Sequence, residues 1–423
     1  MSFDKISVIG LGYIGLPTAA MFASRKKNVV GVDINHKIVE TINSGKIHIS
    51  EPELEDLLQT ALSEGCFRAV TKTEPADAFI IAVPTPFLPA KEEGAIPKPD
   101  LAFIDSATKA IAPVLKKGDL VILESTSPVG TTEQLAKWLA CERPDLTFPH
   151  THGIGSDIRV AYCPERVLPG QVVRELVEND RIIGGLTKSC SEFAVELYKI
   201  FVDGECIVTN ARTAEMAKLT ENASRDVSIA FANELSIICD KLEINVWELI
   251  SLTNRHPRVN ILQPGPGVGG HCIAVDPWFI INAAPDEAKL ISTARKVNNL
   301  KTKWVVEKVK IAINDILQSN SRMTIEEVVV AFYGLTFKAD IDDLRESPSM
   351  LIAESVSEFH KGKVLAIEPN VKHLNPSLNI DLVSFDVAET QADIGVLLVD
   401  HKEFKESRKP GVNILIDTKG IWL

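Results

Sequence analysis

The chain has 423 residues, 45% of them hydrophobic and 24% charged, with a formal net charge of −12. Such a composition excludes a disordered or fibrous chain, and the length allows roughly three folded domains. No Lys/Arg run is long enough to follow a phosphate backbone, which argues against a nucleic-acid partner, so an anionic ligand needs a local positive pocket.

Residues 6–24, ISVIGLGYIGLPTAAMFAS, carry no charge and follow Lys5, much like an export signal. Gly10, Gly12, Gly15 and Pro17 break that pattern and suit a nucleotide turn between a strand and a helix. The seven cysteines are scattered, with no C-x-x-C pair and no zinc-ligand spacing. That usage fits a reducing cytoplasm, with neither a metal centre nor a membrane partner expected. In VIGLGYIG the first glycine permits a tight turn, the second lets backbone approach a pyrophosphate, and the third lets the helix pack closely. Asp33 lies 18 residues beyond Gly15 at the end of the next apolar run. An acid there bonds a ribose 2′-hydroxyl and repels a 2′-phosphate, so NAD is expected over NADP.

Through residue 200 the runs KISVIGLG, VVGVDI, AFIIAVPTP, DLVILEST, RVAYCPE and RIIGG alternate with helical patterns and read as parallel strands of a doubly wound sheet. Thr85 and Thr126 follow two of these runs, at the edge where such sheets bind ligands; either is equally an ordinary turn residue. From Thr213 to Asn245 the breakers vanish and the pattern is continuously helical. Lys218, Asn222 and Arg225, spaced by four and three, share one face of that helix. A solvated stripe is the ordinary fate of such residues, but the Ala, Ile, Phe and Leu around them imply burial on most sides, and a buried lysine needs a partner or a task.

Next comes GPGVGGHCIAVDP, Gly265–Pro277. With Pro264 and Pro266 and no preceding strand, it is not a dinucleotide turn. Its glycines are expected to let backbone and substrate approach the sulfur of Cys272, with Asp276 four residues beyond. A thiol serving a nicotinamide enzyme points to oxidation past an aldehyde through a thiohemiacetal. From Thr324 the runs EEVVVAFYGL, KVLAIEP, IGVLLVD and VNILID form a second α/β region without a glycine triplet. The expected segments are 1–205, 206–318 and 319–423.

GLGYIGLP, STSPVGTT, CPER, AEMAKLTEN, GVGGHCIAVDP and GLTFKADIDDLRESP span essentially the whole chain. Together they resemble the UDP-glucose/GDP-mannose (UDP-sugar 6-) dehydrogenase family. The resemblance implies two Rossmann-like, doubly wound α/β domains joined by a long central helix and an all-α dimerisation region. It implies a homodimer, with NAD on the first domain and the UDP moiety on the second. It implies Cys272 as nucleophile, Lys218 and Asn222 on the oxygen at C6, Asp276 supporting a water, and Glu165 and Thr126 assisting thioester hydrolysis. Tyr13, Ile14 and Arg345 join the NAD contacts, Lys338 holds the UDP-sugar, and Arg258 reaches the nucleotide across a dimer interface. Where glucose enzymes usually continue Pro-Lys-Asp after the cysteine, this chain has Ile273, Ala274, Val275 and Asp276, and Pro169 replaces a second glutamate. PERVLPG and NRHPRVNILQPGPGVGGHCIAVDPWF resemble the branch acting on UDP-N-acetylhexosamines. That likeness adds Arg166, Val167, Arg225, His256, Gly269, Phe337 and Lys419 to the substrate pocket. The expected reaction is four-electron oxidation of UDP-N-acetyl-D-mannosamine at C6, feeding bacterial surface polysaccharide, with the gluco, galacto and plain glucose substrates as alternatives. A two-electron hydroxyacid dehydrogenase or an NAD-sensing module would not need Cys272.

Overall fold

The computed structural model describes residues 3–49, 51–89, 95–168 and 170–422, so Pro169 lies outside the described residues. The chain divides into two compact units, the boundary falling after Thr220.

The first unit holds an eight-stranded sheet of β1 (Lys5–Ile9), β2 (Asn28–Val32), β3 (Phe67–Val70), β4 (Ala78–Ile81), β5 (Leu120–Leu123), β6 (Arg159–Tyr162), β7 (Arg181–Gly185) and β8 (Cys206–Asn210). Their order is β3-β2-β1-β4-β5-β6-β7-β8. Strands β4 and β5, AFII and LVIL, are buried at every position, as befits parallel strands covered by helices on both faces. The order reverses between β1 and β4, which opens a crevice beyond their carboxyl ends, where sheets of this type take ligands. One expectation is corrected: RIIGG is not parallel to its neighbour, because β7 runs antiparallel to β6, pairing Ala161 with Gly185 and Tyr162 with Gly184. Periodicity reports a strand but not its direction.

The second unit carries β9 (Val330–Tyr333), β10 (Val364–Ile367), β11 (Asp381–Leu382), β12 (Ile394–Leu397) and β13 (Ile414–Asp417), all parallel, in the order β11-β10-β9-β12-β13. This repeats the order of the first five strands. The likeness reaches the turns: Gly10 after β1 has φ +91° and Gly334 after β9 has φ +86°, a left-handed geometry that glycine adopts without strain. The leucine after each glycine donates its N–H to the acid that ends the next strand, Leu11 to Asp33 at 3.1 Å and Leu335 to Glu368 at 2.7 Å.

The helix Ala211–Lys241, 31 residues long, starts in the first unit and ends in the second. Within the second unit it packs on another 31-residue helix, Lys289–Ser319, through a buried polar network. Arg295 bonds Asp226 at 2.6 Å, Asn298 donates to the same carboxylate at 2.8 Å, and Asn233 donates to Asn298 at 2.9 Å. Burial on most sides, expected from its apolar content, does not hold: Phe231 is 51% exposed and Ile238 45%, with Met216 also open. Among the described residues no helix is long and apolar enough to cross a membrane.

Candidate active site

The glycine turn has the form a dinucleotide needs. A Cβ on Gly10 would lie 2.5 Å from the Ala82 carbonyl, and one on Gly15 would lie 1.8 Å from the Gly10 carbonyl, so both must be bare for the strand, turn and helix to close up. A Cβ on Gly12 would meet nothing within 4 Å. Protein packing therefore does not require the second glycine, whereas a pyrophosphate approaching the backbone does. Ile14 precedes the helix Gly15–Ser24, and Tyr13 is exposed beside it. Asp33 accepts the N–H groups of Leu11 and Asn35, which fixes its carboxylate at the rim of the turn. Thr85 donates to the Thr126 carbonyl at 2.6 Å, tying together the loops that leave β4 and β5. The shape and chemistry of this turn fit NAD.

Lys218 is 6% exposed and has the partner its burial demands. Its Nζ donates to the Glu165 carbonyl at 2.8 Å and to Glu165 Oε1 at 3.0 Å, while Glu165 Oε2 accepts the Val167 N–H. The PER segment that leaves β6 is thereby fastened to the long helix. Val167 packs on the core of the first unit, and Arg166 directs Nη1 at the Asp180 carbonyl, 3.2 Å away.

A buried group that sequence reasoning missed lies close by. Glu124, the first residue after β5, accepts from Thr18 Oγ1 (3.3 Å), Tyr198 OH (3.2 Å) and Arg181 Nη1 (3.5 Å). Burial pushes its carboxyl up to about 7 against the pull of Arg181 and Tyr198. The thiol of Cys163, also wholly buried, is pushed up to about 12 by desolvation and is no nucleophile. The available signal was a charge at the end of each of two apolar runs, in VILE and DRII, which a folded chain must pair.

In the second unit, Cys272 is exposed, and its carbonyl accepts the Asp276 N–H at 2.9 Å in the turn that opens the helix Asp276–Ala283. Asp276 is 3% exposed and accepts from Asn222 Nδ2 at 2.5 Å. Cys272, Asp276 and Asn222 are therefore gathered as expected. The glycines before the cysteine have a different reason from the one expected. A Cβ on Gly269 would lie 2.3 Å from the Glu346 carbonyl, and one on Gly270, at φ +81°, would lie 2.9 Å from the Phe337 ring. They admit the protein's own 337–348 segment rather than open space. The same loop is anchored at its start by the Gly265 N–H on Asn233 Oδ1, 2.9 Å, and by Thr302 Oγ1 on the Pro266 carbonyl, 3.0 Å.

Arg345 grips Asp343 through Nε and Nη2 at 2.9 and 2.7 Å. Burial alone would raise Asp343, but the guanidinium outweighs it and holds that carboxyl low. His271 is lowered by burial first and then by repulsion from Arg345. Lys338 is exposed and Phe337 half-buried on the loop after β9. Lys419 pairs with Asp400 at 3.1 Å. His256 and Arg258 are exposed beyond the helix Val246–Thr253, joined by the Arg258 N–H on His256 Nδ1. Arg225 is exposed, so the polar face of the long helix runs from the buried Lys218 through half-buried Asn222 into solvent.

A nucleotide turn with an acid behind it, at the switch point of a doubly wound sheet, points to a dinucleotide-dependent dehydrogenase. Comparison with known proteins gives the family. The UDP-glucose/GDP-mannose dehydrogenase models match as NAD binding domain over 4–202, central domain over 212–300 and UDP binding domain over 331–422. UDP-N-acetyl-D-mannosamine dehydrogenase of Yersinia pestis is 61% identical over 426 residues, covering 100% of both chains. NDP-N-acetyl-D-galactosaminuronic acid dehydrogenase of Ralstonia nicotianae is 60% identical, covering 100% of this chain and 97% of the other. Among solved structures, the UDP-N-acetyl-mannosamine dehydrogenase of Staphylococcus aureus superposes with a TM-score of 0.83 at 42% identity, covering 99% of this chain and 95% of that one. The chain belongs to the UDP-glucose/GDP-mannose dehydrogenase family and is an NAD-dependent oxidoreductase of nucleotide sugars.

Proposed function

We propose that the chain oxidises UDP-N-acetyl-D-mannosamine at C6 to the uronate in the cytoplasm, for a bacterial surface polysaccharide, as a homodimer with segments 1–205, 206–318 and 319–423. The observation that carries this reading is the end-to-end 61% identity with the Yersinia pestis enzyme. NAD⁺, when bound, supplies the hydride acceptor, used twice per sugar. Cys272 Sγ adds to the C6 aldehyde, which becomes a thioester after the second oxidation; water then breaks the C–S bond, returning the thiol and releasing the acid. Lys218 Nζ and Asn222 donate to the C6 oxygen as it gains charge, each worth roughly 3–4 kcal/mol in such sites. Asn222 carries two N–H groups, so its bond to Asp276 fixes the amide while the other N–H serves the substrate. Asp276 supports the water there, and Glu165 and Thr126 assist hydrolysis.

Arg166, Val167, Arg225, His256, Gly269, Phe337, Lys338 and Lys419 complete the sugar-nucleotide pocket, and Arg345 contacts NAD. The apolar stripe of Phe231, Ile238 and Leu242 fits a second copy of the chain, with the exposed Arg258 reaching that copy's nucleotide. A second reading, UDP-N-acetyl-D-galactosamine as substrate, rests on the 60% identical Ralstonia nicotianae relative.

A panel of UDP-hexoses and UDP-N-acetylhexosamines decides between them. The manno compound should give the highest kcat/KM and about two NADH per sugar, and Cys272→Ala at most about one. A higher kcat/KM for the galacto compound would establish the second reading, and full conversion to the acid by Cys272→Ala would remove the thiol from the mechanism.

A further inference from the structure

The loop after β9, GLTFKAD, presents Phe337 and Lys338, and the Phe337 N–H ties it to the Asp343 carbonyl at 3.2 Å. Its base is held by a buried pair of side chains from two other strand ends. Glu368, 6% exposed at the end of β10, accepts the Leu335 N–H at 2.7 Å and the Thr336 N–H at 3.2 Å through one oxygen. Through the other it accepts the Asn370 N–H at 3.0 Å. His401, wholly buried beyond β12, lies 3.1 Å from Glu368 Oε2 through Nε2. Its Nδ1 accepts the Asp340 N–H at 2.9 Å, so the ring proton sits on Nε2 and is donated to Glu368. Thr336, itself buried, donates Oγ1 to the Lys338 carbonyl at 2.8 Å. The Lys402 N–H closes on Asp340 Oδ1 at 3.0 Å, holding Asp340 at its left-handed φ of +62°. The residue before His401 completes the arrangement, since Asp400 pairs with Lys419 at 3.1 Å and with Lys405 at 2.7 Å.

We propose that His401 and Glu368 are positioning residues for the sugar nucleotide. The Asp400–His401 turn sets the Lys338 loop and Lys419 in one geometry before the ligand arrives. This rests on the assignment of Lys338 and Lys419 to the UDP-sugar pocket. Holding both ends of a charged pocket from one turn removes the ordering that binding would otherwise require. Burial makes each bond of the pair hard to replace with water. In the first unit the equivalent acid, Asp33, is half-buried at the rim of the cofactor turn; in the second, the acid is covered by a histidine and spent on the chain itself.

The test uses the full-length protein with His401→Asn, His401→Ala and Glu368→Gln, alongside Lys338→Ala. Asparagine keeps an acceptor near the Asp340 N–H, whereas alanine keeps nothing. His401→Ala and Glu368→Gln should raise KM for the UDP-N-acetylhexosamine roughly tenfold, as expected when a buried hydrogen-bond partner is lost. Saturated kcat and KM for NAD⁺ should hold within about twofold. Hydrogen exchange without ligand should speed up at the Leu335, Thr336 and Asp340 amides, and His401→Asn should recover part of both effects. If Lys338→Ala raises KM but the His401 and Glu368 variants do not, or if they lower kcat and NAD⁺ affinity in equal proportion, the pair is only a packing element and the proposal fails. If Lys338→Ala leaves KM unchanged, the pocket assignment is wrong and the proposal falls with it.

Discussion

Replacing Glu124 with glutamine isolates the energetics of the buried cluster beneath the cofactor edge. Burial moves this carboxyl from 4.5 to about 7. Between those values the folded chain holds a proton that the unfolded chain has released. The folded state thus binds more protons, and the free energy of unfolding falls as pH rises through the window. At about 1.4 kcal/mol per tenfold, the loss attributable to this one group is roughly 3 kcal/mol by pH 8. Glutamine has nearly the same shape and does not titrate, so Glu124→Gln should gain on the wild type by up to that amount between pH 4.5 and 8. Arg181 stays charged in both proteins. Urea unfolding across this range, read by pulse-labelled hydrogen exchange at the β5 peptide, measures the difference in the unit that contains the cluster. A wild-type-minus-variant difference constant to within about 0.5 kcal/mol would refute the reasoning, because it would mean that Arg181 keeps Glu124 ionised throughout.

Four further changes test the rest of the site. Asp33→Ala should raise KM for NAD⁺ by about tenfold or more and narrow the preference over NADP⁺, since both the ribose acceptor and the repulsion of a 2′-phosphate are lost; unchanged selectivity in steady-state kinetics would sink that role. Lys218→Met should cut kcat by roughly 10²–10³ and destabilise the first unit by several kcal/mol, because Glu165 is left buried beside its lost partner; thermal melting and turnover read the two effects separately. Gly270→Ala forces a Cβ to 2.9 Å from the Phe337 ring at φ +81°, so it should destabilise by about 1–3 kcal/mol and raise KM for the sugar nucleotide, while leaving NAD⁺ binding alone by calorimetry. Arg258→Ala chains mixed with Cys272→Ala chains should regain about a quarter of wild-type turnover after subunit exchange if the arginine serves its neighbour's site, and none if it serves its own.

The features legible in the sequence were those whose cause is local. Gly10, Gly12, Gly15 and Asp33 form one strand–turn–helix unit with its acid, and the long helix shows in an unbroken run without glycine or proline. Strands β3 and β8 were not anticipated. FRAV is four residues long with an exposed arginine, and CIVTN has no fully buried position, so neither carries the apolar run that betrays an interior strand. Pairings that close over long distances were equally invisible: Glu124 with Arg181 spans 57 residues and Glu368 with His401 spans 33. In each case only the unpaired charge inside an apolar stretch could be seen, not its partner. The glycines of the cysteine loop were assigned to the ligand, because sequence cannot reveal that Phe337 and Glu346 come to lie against them.

The two glycine turns, after β1 and β9, share a backbone but have been put to opposite uses, and this sets what can change in each. Two residues past Gly10 stands Gly12, with space before it; two residues past Gly334 stands the wholly buried Thr336. Clearing the second turn for a dinucleotide would mean altering Thr336, Glu368 and His401, whose hydrogen bonds close the turn on itself. The second turn is thus occupied by its own hydrogen bonds. On the proposed function, variation in the first turn would retune the cofactor and variation around the second the sugar, so the two specificities could change on separate schedules within one chain.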